Sequence, residues 1–238
     1  KVNTGSKMIT DLNLITFKMS GHAQHSGYDC LIDYLDCRVI SCPNQWNLVQ
    51  RLVTKSLKGL ILRSGITWYN RASAYSEAVA ACRWFKKSGQ IFHYIYGENS
   101  YRYVGGLKRT GMKNALICTF HTPPEKFRML VENSNHLHKL DAIIVVSNSQ
   151  HGFFSDLIGE DRVFFVPHGI DVQYFKPFQA VPVRTKKADV SFQCLFVGRH
   201  MRDFKGITEA AKALNCIDPS IKICCVIPDE FFKHFNGL

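Results

Sequence analysis

Two cations near a glycine turn could bind a phosphate group in the last quarter of the chain. A short apolar run ends in Gly198-Arg199, and a few residues later Lys205 opens a helical pattern. The backbone N–H groups and the positive dipole end of such a helix favour an anion. Arginine adds a bidentate fork and lysine adds a point charge. Gly198, Arg199 and Lys205 therefore predict a site for a phosphate or diphosphate.

A second glycine turn precedes this site in the chain. The run RVFFVP over residues 162–167 is rich in β-branched and aromatic residues, and it ends in His168-Gly169. This pattern predicts a strand that runs into a sharp turn. We interpret His168 mainly as a turn residue, with contact to a ligand as the alternative.

The elements that must position these residues alternate along the chain. Near-continuous apolar runs predict strands over 9–19, 39–42, 91–96, 114–120, 141–146, 162–167, 194–197 and 221–227. Helical patterns start at 28 and cover 45–62, 73–87, 124–140, 148–158 and 206–214. Such alternation is typical of a parallel sheet with helices on both faces. We therefore expect an α/β chain with a Rossmann-like domain, followed by an incomplete second Rossmann-like domain.

Ligands of such sheets bind at the carboxyl ends of the strands, and several candidate site residues lie there. Gly27 comes just before a predicted helix, where close approach of a ligand requires a residue without Cβ. His121 follows a predicted strand, and Ser147 follows the next one. Ser147 could equally cap the following helix. A dinucleotide fingerprint is not supported, because no Gly-x-Gly-x-x-Gly occurs.

A linker divides the chain unevenly. The stretch PFQAVPVRTKK carries two prolines and a basic run. We expect an N-terminal domain over 1–178, a linker over 179–187, and the beginning of a second domain over 188–238.

Composition excludes several protein classes. The hydrophobic fraction is 46% and the mean hydropathy is −0.09, which suits a globular protein and not a disordered one. No apolar run approaches the roughly 18–20 residues of a membrane span. The nine cysteines include no Cys-x-x-Cys pair and mostly lie in apolar runs. We expect buried, reduced cysteines in a cytoplasmic protein, no metal site, and peripheral contact with the inner face of a membrane as an option.

The net charge of +11 is concentrated in one region. Residues 51–113 carry twelve Lys or Arg against two acids, Glu77 and Glu98. Such a region attracts a membrane surface, a phosphorylated substrate or nucleic acid. In the predicted helix over 45–62, Arg51, Lys55 and Lys58 lie opposite an apolar face, which favours an anionic membrane. We expect no nucleic-acid partner, because no motif for one is present.

Four stretches taken together resemble a known family. TFHTPPEK, LDAIIVVSNSQ, VFFVPHGIDVQYFKP and LFVGRHMRDFKG occur in this order. The set is similar to the large retaining glycosyltransferase family of GT-B architecture, family 4, from about residue 9 to the end. The resemblance implies two Rossmann-like domains that face each other across a cleft, with a nucleotide-sugar donor mainly on the second.

The resemblance also implies roles for the candidate residues. Arg199 and Lys205 would hold the donor diphosphate and stabilise the leaving group without a metal. Gly27 would approach the diphosphate or the acceptor, and His121 would contact a hydroxyl of the transferred sugar. The implied reaction moves a hexose-type sugar from a UDP- or GDP-sugar to a hydroxyl of a glycan, lipid or protein-linked acceptor. No cofactor or metal ion is implied, and no Asp-x-Asp motif is present.

One departure from the family pattern is large. The family places two glutamates with seven residues between them on the second domain, and this sequence has no such pair. We therefore expect residues beyond Leu238 to complete the donor domain, and we do not expect these 238 residues alone to turn over. The alternative is a non-catalytic GT-B-like module that binds or regulates another chain.

Overall fold

The computed structural model describes residues 11–17, 19, 25, 27–43, 45–108, 113–176, 193–198 and 202–235, except the side chain at 234. The chain divides into two compact units, Lys1–Lys176 and Pro177–Leu238. The division lies next to the proline-containing stretch from which a linker was predicted.

The first unit is built on a six-stranded parallel sheet with the order β2-β1-β3-β4-β5-β6. Its strands are β1 (Leu12–Thr16), β2 (Arg38–Ser41), β3 (Ile91–Tyr94), β4 (Ala115–Phe120), β5 (Ala142–Val145) and β6 (Val163–Phe165). Helices connect the strands, as parallel pairing requires. The predicted Rossmann-like α/β fold is confirmed.

The helices of this unit are both α-helical and 3-10. The α-helices are α1 (Leu48–Ser56), α2 (Lys58–Leu62), α3 (Arg71–Trp84), α4 (Pro124–Leu130) and α5 (Asn148–Ile158). The 3-10 helices are Tyr28–Asp33, Val104–Leu107, Asn135–Lys139 and Glu160–Arg162. Within the described residues of the chain, no helix is both long enough and apolar enough to cross a membrane.

Apolar side chains fill the core around this sheet. Trp84, Phe92, Phe120 and Phe154 belong to one cluster of fully buried residues, and Leu14 belongs to a second. Burial of such a side chain stabilises the fold by about 1.5–3 kcal/mol. The core explains why the strands read as continuous apolar runs in the sequence.

Three predicted helices differ from the observed ones. The pattern after Gly27 forms only a six-residue 3-10 helix, in which Leu31 is exposed. The helix predicted over 45–62 breaks at Leu57 into α1 and α2. The helix predicted over 124–140 stops at Leu130, because Val131 takes extended backbone and pairs with Ile66 in an isolated β-bridge. Tertiary pairing overrides local propensity there.

Side-chain amides connect the strands at the amino end of the sheet. The buried Asn13 donates from Nδ2 to Oε1 of Gln90, 3.0 Å away. The N–H of Gln90 donates to Oδ1 of Asn114, 2.9 Å away. Nδ2 of Asn114 donates to the Trp84 carbonyl at the end of α3. These bonds fix the starts of β1, β3 and β4 relative to one another.

The second unit contains one strand pair and one long helix. The parallel strands are β7 (Gln193–Val197) and β8 (Lys222–Val226), joined by α6 (Phe204–Ile217). A 3-10 helix, Asp229–Phe235, follows. This β–α–β order matches the predicted start of a second Rossmann-like unit.

The cysteines are less buried than predicted. All nine are free, and Cys118 alone is buried. Cys82, Cys194, Cys216 and Cys224 are exposed, and the remaining four are partly buried. Apolar neighbours in sequence do not ensure burial, since Leu195 beside Cys194 is itself 68% exposed, so the expectation of mostly buried cysteines is wrong.

Candidate functional site

A cavity opens at the carboxyl ends of the strands in the first unit. Because β1 pairs with both β2 and β3, the strand order reverses beside β1, and ligands of open α/β sheets bind at such a reversal. The cavity has a volume of about 860 Å³. Its lining comes from segments near residues 25–34, 93–95, 119–121, 144–146 and 166–175. Of the candidates, Gly27, His121 and His168 line it together.

The carboxylate of Glu98 binds the backbone at His121. The carboxylate oxygen Oε1 accepts the backbone N–H groups of His121 and of Thr122, the latter at 2.7 Å. Glu98 lies in the loop after β3 and is 2% exposed. One buried acid therefore fixes the backbone at the point where β4 ends.

The second oxygen of this carboxylate faces the imidazole ring. Oε2 of Glu98 lies 3.7 Å from Nδ1 of His121, and Nδ1 is buried with no hydrogen-bond partner. Burial on its own would raise the pKa of the Glu98 carboxyl. The interactions with the ring and backbone of His121 outweigh burial and lower that pKa below its usual value.

Three rings lie parallel at the cavity wall. The ring of Tyr28 stacks on His121 with centroids 3.6 Å apart and on His168 with centroids 4.5 Å apart. Burial, followed by the charge of Glu98, raises the pKa of the Tyr28 phenol, so it stays a neutral hydrogen-bonding group. The stack combines residues that follow β1, β4 and β6, and it fixes the plane of the His121 ring.

His93 lies deeper, on β3. Its Nε2 and Oγ1 of Thr119 are 2.7 Å apart, in a hydrogen bond between neighbouring strands. Burial, with a smaller contribution from His121, lowers the pKa of His93 to about 4. His93 is therefore a neutral group at physiological pH.

The segment after β6 closes one side of the cavity. Nδ1 of His25 lies 2.9 Å from Oδ2 of Asp171, and the His25 ring stacks on Tyr174 with centroids 3.9 Å apart. The hydrogen bond from His25 lowers the pKa of the Asp171 carboxyl. The loop after β1 and the segment after β6 are thereby tied together over the strand ends.

Gly27 and Ser147 have distinct roles in the geometry. Gly27 precedes the 3-10 helix with φ of 110°, a conformation that residues with Cβ rarely adopt, and it lines the cavity. Ser147 is the N-cap of α5 and forms a capping box with Gln150. Ser147 does not line the cavity formed by the described residues.

The predicted phosphate residues lie in the second unit. Gly198 directly follows β7 and has φ of 104°, a conformation that suits a turn after a strand. Arg199 lies outside the described residues. Lys205 lies in the first turn of α6, its side chain is 87% exposed, and its Nζ is 3.8 Å from Oε1 of Glu209. The helix begins with Asp203, whose carboxylate accepts the Gly206 N–H at 2.8 Å.

Sequence reasoning missed Glu98, Tyr28 and His93 as site residues. Glu98 could have been noticed, because it is one of only two acids in a strongly basic region and follows a strand directly. Tyr28 adjoins Gly27, but its contact with His121 joins residues that are distant in the chain. His93 is inside an apolar run, where a histidine more often has a structural role.

The lining can form hydrogen bonds but offers no strong positive charge. It contains imidazole, phenol, hydroxyl and carboxylate groups beside apolar side chains, and its described residues include no lysine or arginine. No group of three or more His, Cys, Asp or Glu among the described residues could hold a metal ion. Such a lining suits a neutral hydroxylated molecule better than a phosphate. No protein-family model matches the chain, and no curated protein matches it significantly.

Proposed function

We propose that the chain carries the acceptor-side domain and the start of the donor domain of a retaining glycosyltransferase. The enzyme would transfer a hexose-type sugar from a UDP- or GDP-sugar to a hydroxyl acceptor. The observation that carries the proposal is the cavity at the strand ends, where His121 is held by Glu98 and stacked under Tyr28.

The distribution of charge supports a division of labour between the units. The cavity of the first unit has no described lysine or arginine in its lining. Lys205 is exposed at the carboxyl end of β7 in the second unit. In the proposal, His121 contacts a sugar hydroxyl, whereas Arg199 and Lys205 stabilise the charge of the departing diphosphate.

Donor hydrolysis and sugar transfer by the full-length protein test the proposal. UDP- and GDP-linked hexoses are the donors. We expect Arg199→Ala and Lys205→Ala each to lower kcat roughly 100-fold, because each removes charge stabilisation of the leaving group. His121→Ala should lower kcat/KM, and His138→Ala, a change at an exposed histidine outside the cavity, should not.

The phosphate role of the two cations and the transferase activity are refuted by different results. Near-normal activity of both cation variants would refute the phosphate role of Arg199 and Lys205. Absence of any turnover with every UDP- and GDP-hexose would refute the transferase itself and favour a non-catalytic module.

We further propose that α1 and α2 contact an anionic membrane. The large apolar side chains Leu48, Val49, Leu52 and Leu62 are between 60% and 76% exposed. Two of them line a shallow groove of about 630 Å³ together with Arg51, Lys55, Lys58 and Arg71. Exposed apolar and cationic side chains on one surface favour a bilayer with acidic headgroups.

The acids of this region do not offset its charge. Glu77 is 3% exposed and Glu98 is 2% exposed, and both accept hydrogen bonds inside the fold. No described carboxylate lies within ion-pair distance of the four cations of the groove. The groove is therefore cationic, whereas Lys87 and Lys108 elsewhere in 51–113 pair with Asp11 and Asp141.

Co-sedimentation with vesicles at low salt checks this surface. We expect binding to vesicles of anionic phospholipid and little binding to neutral phosphatidylcholine. Lys55→Glu should weaken the anionic binding roughly 30-fold, since each unit of charge near such a surface contributes about 1 kcal/mol and the change alters the charge by two units. The matched change Lys212→Glu in α6 should have a smaller effect. Equal binding to neutral and anionic vesicles would contradict the proposal.

A further inference from the structure

We propose that Glu98 is a positioning residue that keeps a proton on Nδ1 of His121, so that Nε2 is a hydrogen-bond acceptor toward the cavity. The assignment of the proton to Nδ1 depends only on the geometry around His121 and Glu98. The use of Nε2 to accept a hydrogen bond from a sugar hydroxyl rests on the proposed function.

The surroundings of Nδ1 decide where the proton lies. Nδ1 is buried without a hydrogen-bond partner, and the carboxylate oxygen Oε2 of Glu98 lies 3.7 Å from it. Without a proton on Nδ1, a lone pair and a carboxylate oxygen would face each other away from water. Two buried acceptors that face each other without a shared proton are unfavourable.

The opposite arrangement, with the proton on Glu98, conflicts with its other contacts. Oε1 already accepts the N–H groups of both His121 and Thr122. Two such bonds stabilise the ionised carboxylate and not the acid. The proton between the two side chains therefore belongs to the imidazole.

Nε2 is then the atom left for a ligand. The ring plane is fixed by the stack on Tyr28 and by the backbone contacts with Glu98. Nε2 forms no hydrogen bond with the described residues, and His121 lines the cavity. The other titratable groups around the ring, His93, His168 and Tyr96, lie on other elements. Sugar hydroxyls are suitable donors to such an atom.

Ring nitrogen NMR tests the proton placement without any substrate. Long-range ¹⁵N–¹H spectra of the chain at about pH 8, well above the usual histidine pKa, distinguish protonated from unprotonated ring nitrogens. The spectrum of His121→Gln assigns the signals of His121 by their loss. We expect a protonated Nδ1 and an unprotonated Nε2. A protonated Nε2 in the wild-type chain would overturn the proposal.

Glu98→Gln separates positioning from folding. Glutamine retains a carbonyl oxygen for the two backbone N–H groups but places an amide donor opposite Nδ1. We therefore expect the variant to fold and the His121 proton to move to Nε2, while Glu132→Gln, at an exposed acid, leaves the ring signals unchanged. An unchanged proton position in folded Glu98→Gln would also overturn the proposal. If the variant does not fold, the wild-type spectrum still decides.

Kinetics separate this inference from the proposed function. With an active transferase, we expect Glu98→Gln to lower kcat/KM roughly 100-fold, the cost of a misplaced contact at the reacting centre. Full activity with a moved proton would overturn the role of Nε2 as acceptor. Absence of transfer in the wild-type enzyme would refute the proposed function and leave the proton placement to the spectra.

Discussion

The two ends of the six-stranded sheet are stabilised by different kinds of polar group. At the amino end, Asn13, Gln90 and Asn114 bond to one another and to the end of α3 through neutral amides. At the carboxyl end, the polar groups are mostly titratable, and His121 and Glu98 are the central pair. Neutral amides keep their hydrogen bonds at any pH, whereas titratable groups gain or lose them with a proton.

This difference separates stability from chemistry. The amide bonds fix the relative positions of strands, because each of these donors is paired with an acceptor inside the fold. The groups at the carboxyl end keep atoms available for a ligand, such as Nε2 of His121 in the cavity wall. We therefore expect changes at the amino end to act on the free energy of unfolding, and changes at the carboxyl end to act on its pH dependence and on ligand binding.

The largest expected effect is at the amino end. Asn114→Leu removes the acceptor of the Gln90 N–H and the donor to the Trp84 carbonyl. Loss of these buried hydrogen bonds should lower the free energy of unfolding by about 3 kcal/mol. Urea denaturation measures it, with Lys113→Leu, at an exposed neighbour, as the control. A loss below about 1 kcal/mol would mean that the amides contribute little to the sheet.

At the carboxyl end, His93 should make the fold sensitive to acid. Its pKa is about 4 in the folded protein, against an ordinary histidine value of 6.5 in the unfolded chain. The unfolded chain therefore binds the proton first, and stability present above pH 6.5 is lost as the pH falls toward 4. At pH 5 the loss from this group should be about 2 kcal/mol.

Comparison with His93→Gln isolates this contribution. Urea denaturation at about pH 7 and pH 5 should show a loss of stability that is smaller in His93→Gln by about 2 kcal/mol than in the wild type. The variant His138→Gln, at an exposed histidine, should behave as the wild type. Identical pH dependence of His93→Gln and wild type would show that His93 is not held neutral by burial.

Glu77 should act in the opposite direction. Burial raises the pKa of its carboxyl to about 7, although Tyr69 and the Tyr103 and Val104 N–H groups donate to it. The folded state therefore holds the proton in the window between 4.5 and 7, and stability rises as the pH falls through it. Glu77→Gln should remove about 1–2 kcal/mol of this gain between pH 7 and pH 5. Glu132→Gln should retain the gain, and the absence of any difference would refute the raised pKa.

Glu77 and Glu98 show which features of the fold and the site can be predicted from the sequence. The apolar runs of the sequence predicted the strands. Gly27 and His121 were expected after strand ends, and both line one cavity, because a parallel sheet brings the carboxyl ends of its strands to one edge. Local sequence places Glu77 in a helix and Glu98 after a strand, but it does not give the direction of either pKa shift. The pKa of Glu98 is lowered because His121, 23 positions away, faces it, and that of Glu77 is raised because burial dominates.

The helix breaks have the same origin. The pattern over 124–140 is continuous in sequence, but Val131 pairs with Ile66 across the fold. The short 3-10 helix after Gly27 begins with Tyr28, whose ring stacks on His121 and His168. The β-bridge and the ring stack both involve partners that are distant along the chain. The local spacing of apolar residues carries no information about such partners.

The smallest expected effect on stability extends the comparison to the second unit. Lys205 follows the carboxyl end of β7, as His121 follows that of β4. Its side chain is 87% exposed. Its Nζ lies 3.8 Å from Oε1 of Glu209, which is one helical turn further along α6, and this ion pair is open to solvent. Such pairs contribute at most a few tenths of a kcal/mol, so Lys205→Ala should change the free energy of unfolding by less than about 0.5 kcal/mol. A larger loss in urea denaturation would mean that Lys205 stabilises the second unit, and a fall in donor hydrolysis by this variant could then no longer be assigned to lost diphosphate binding.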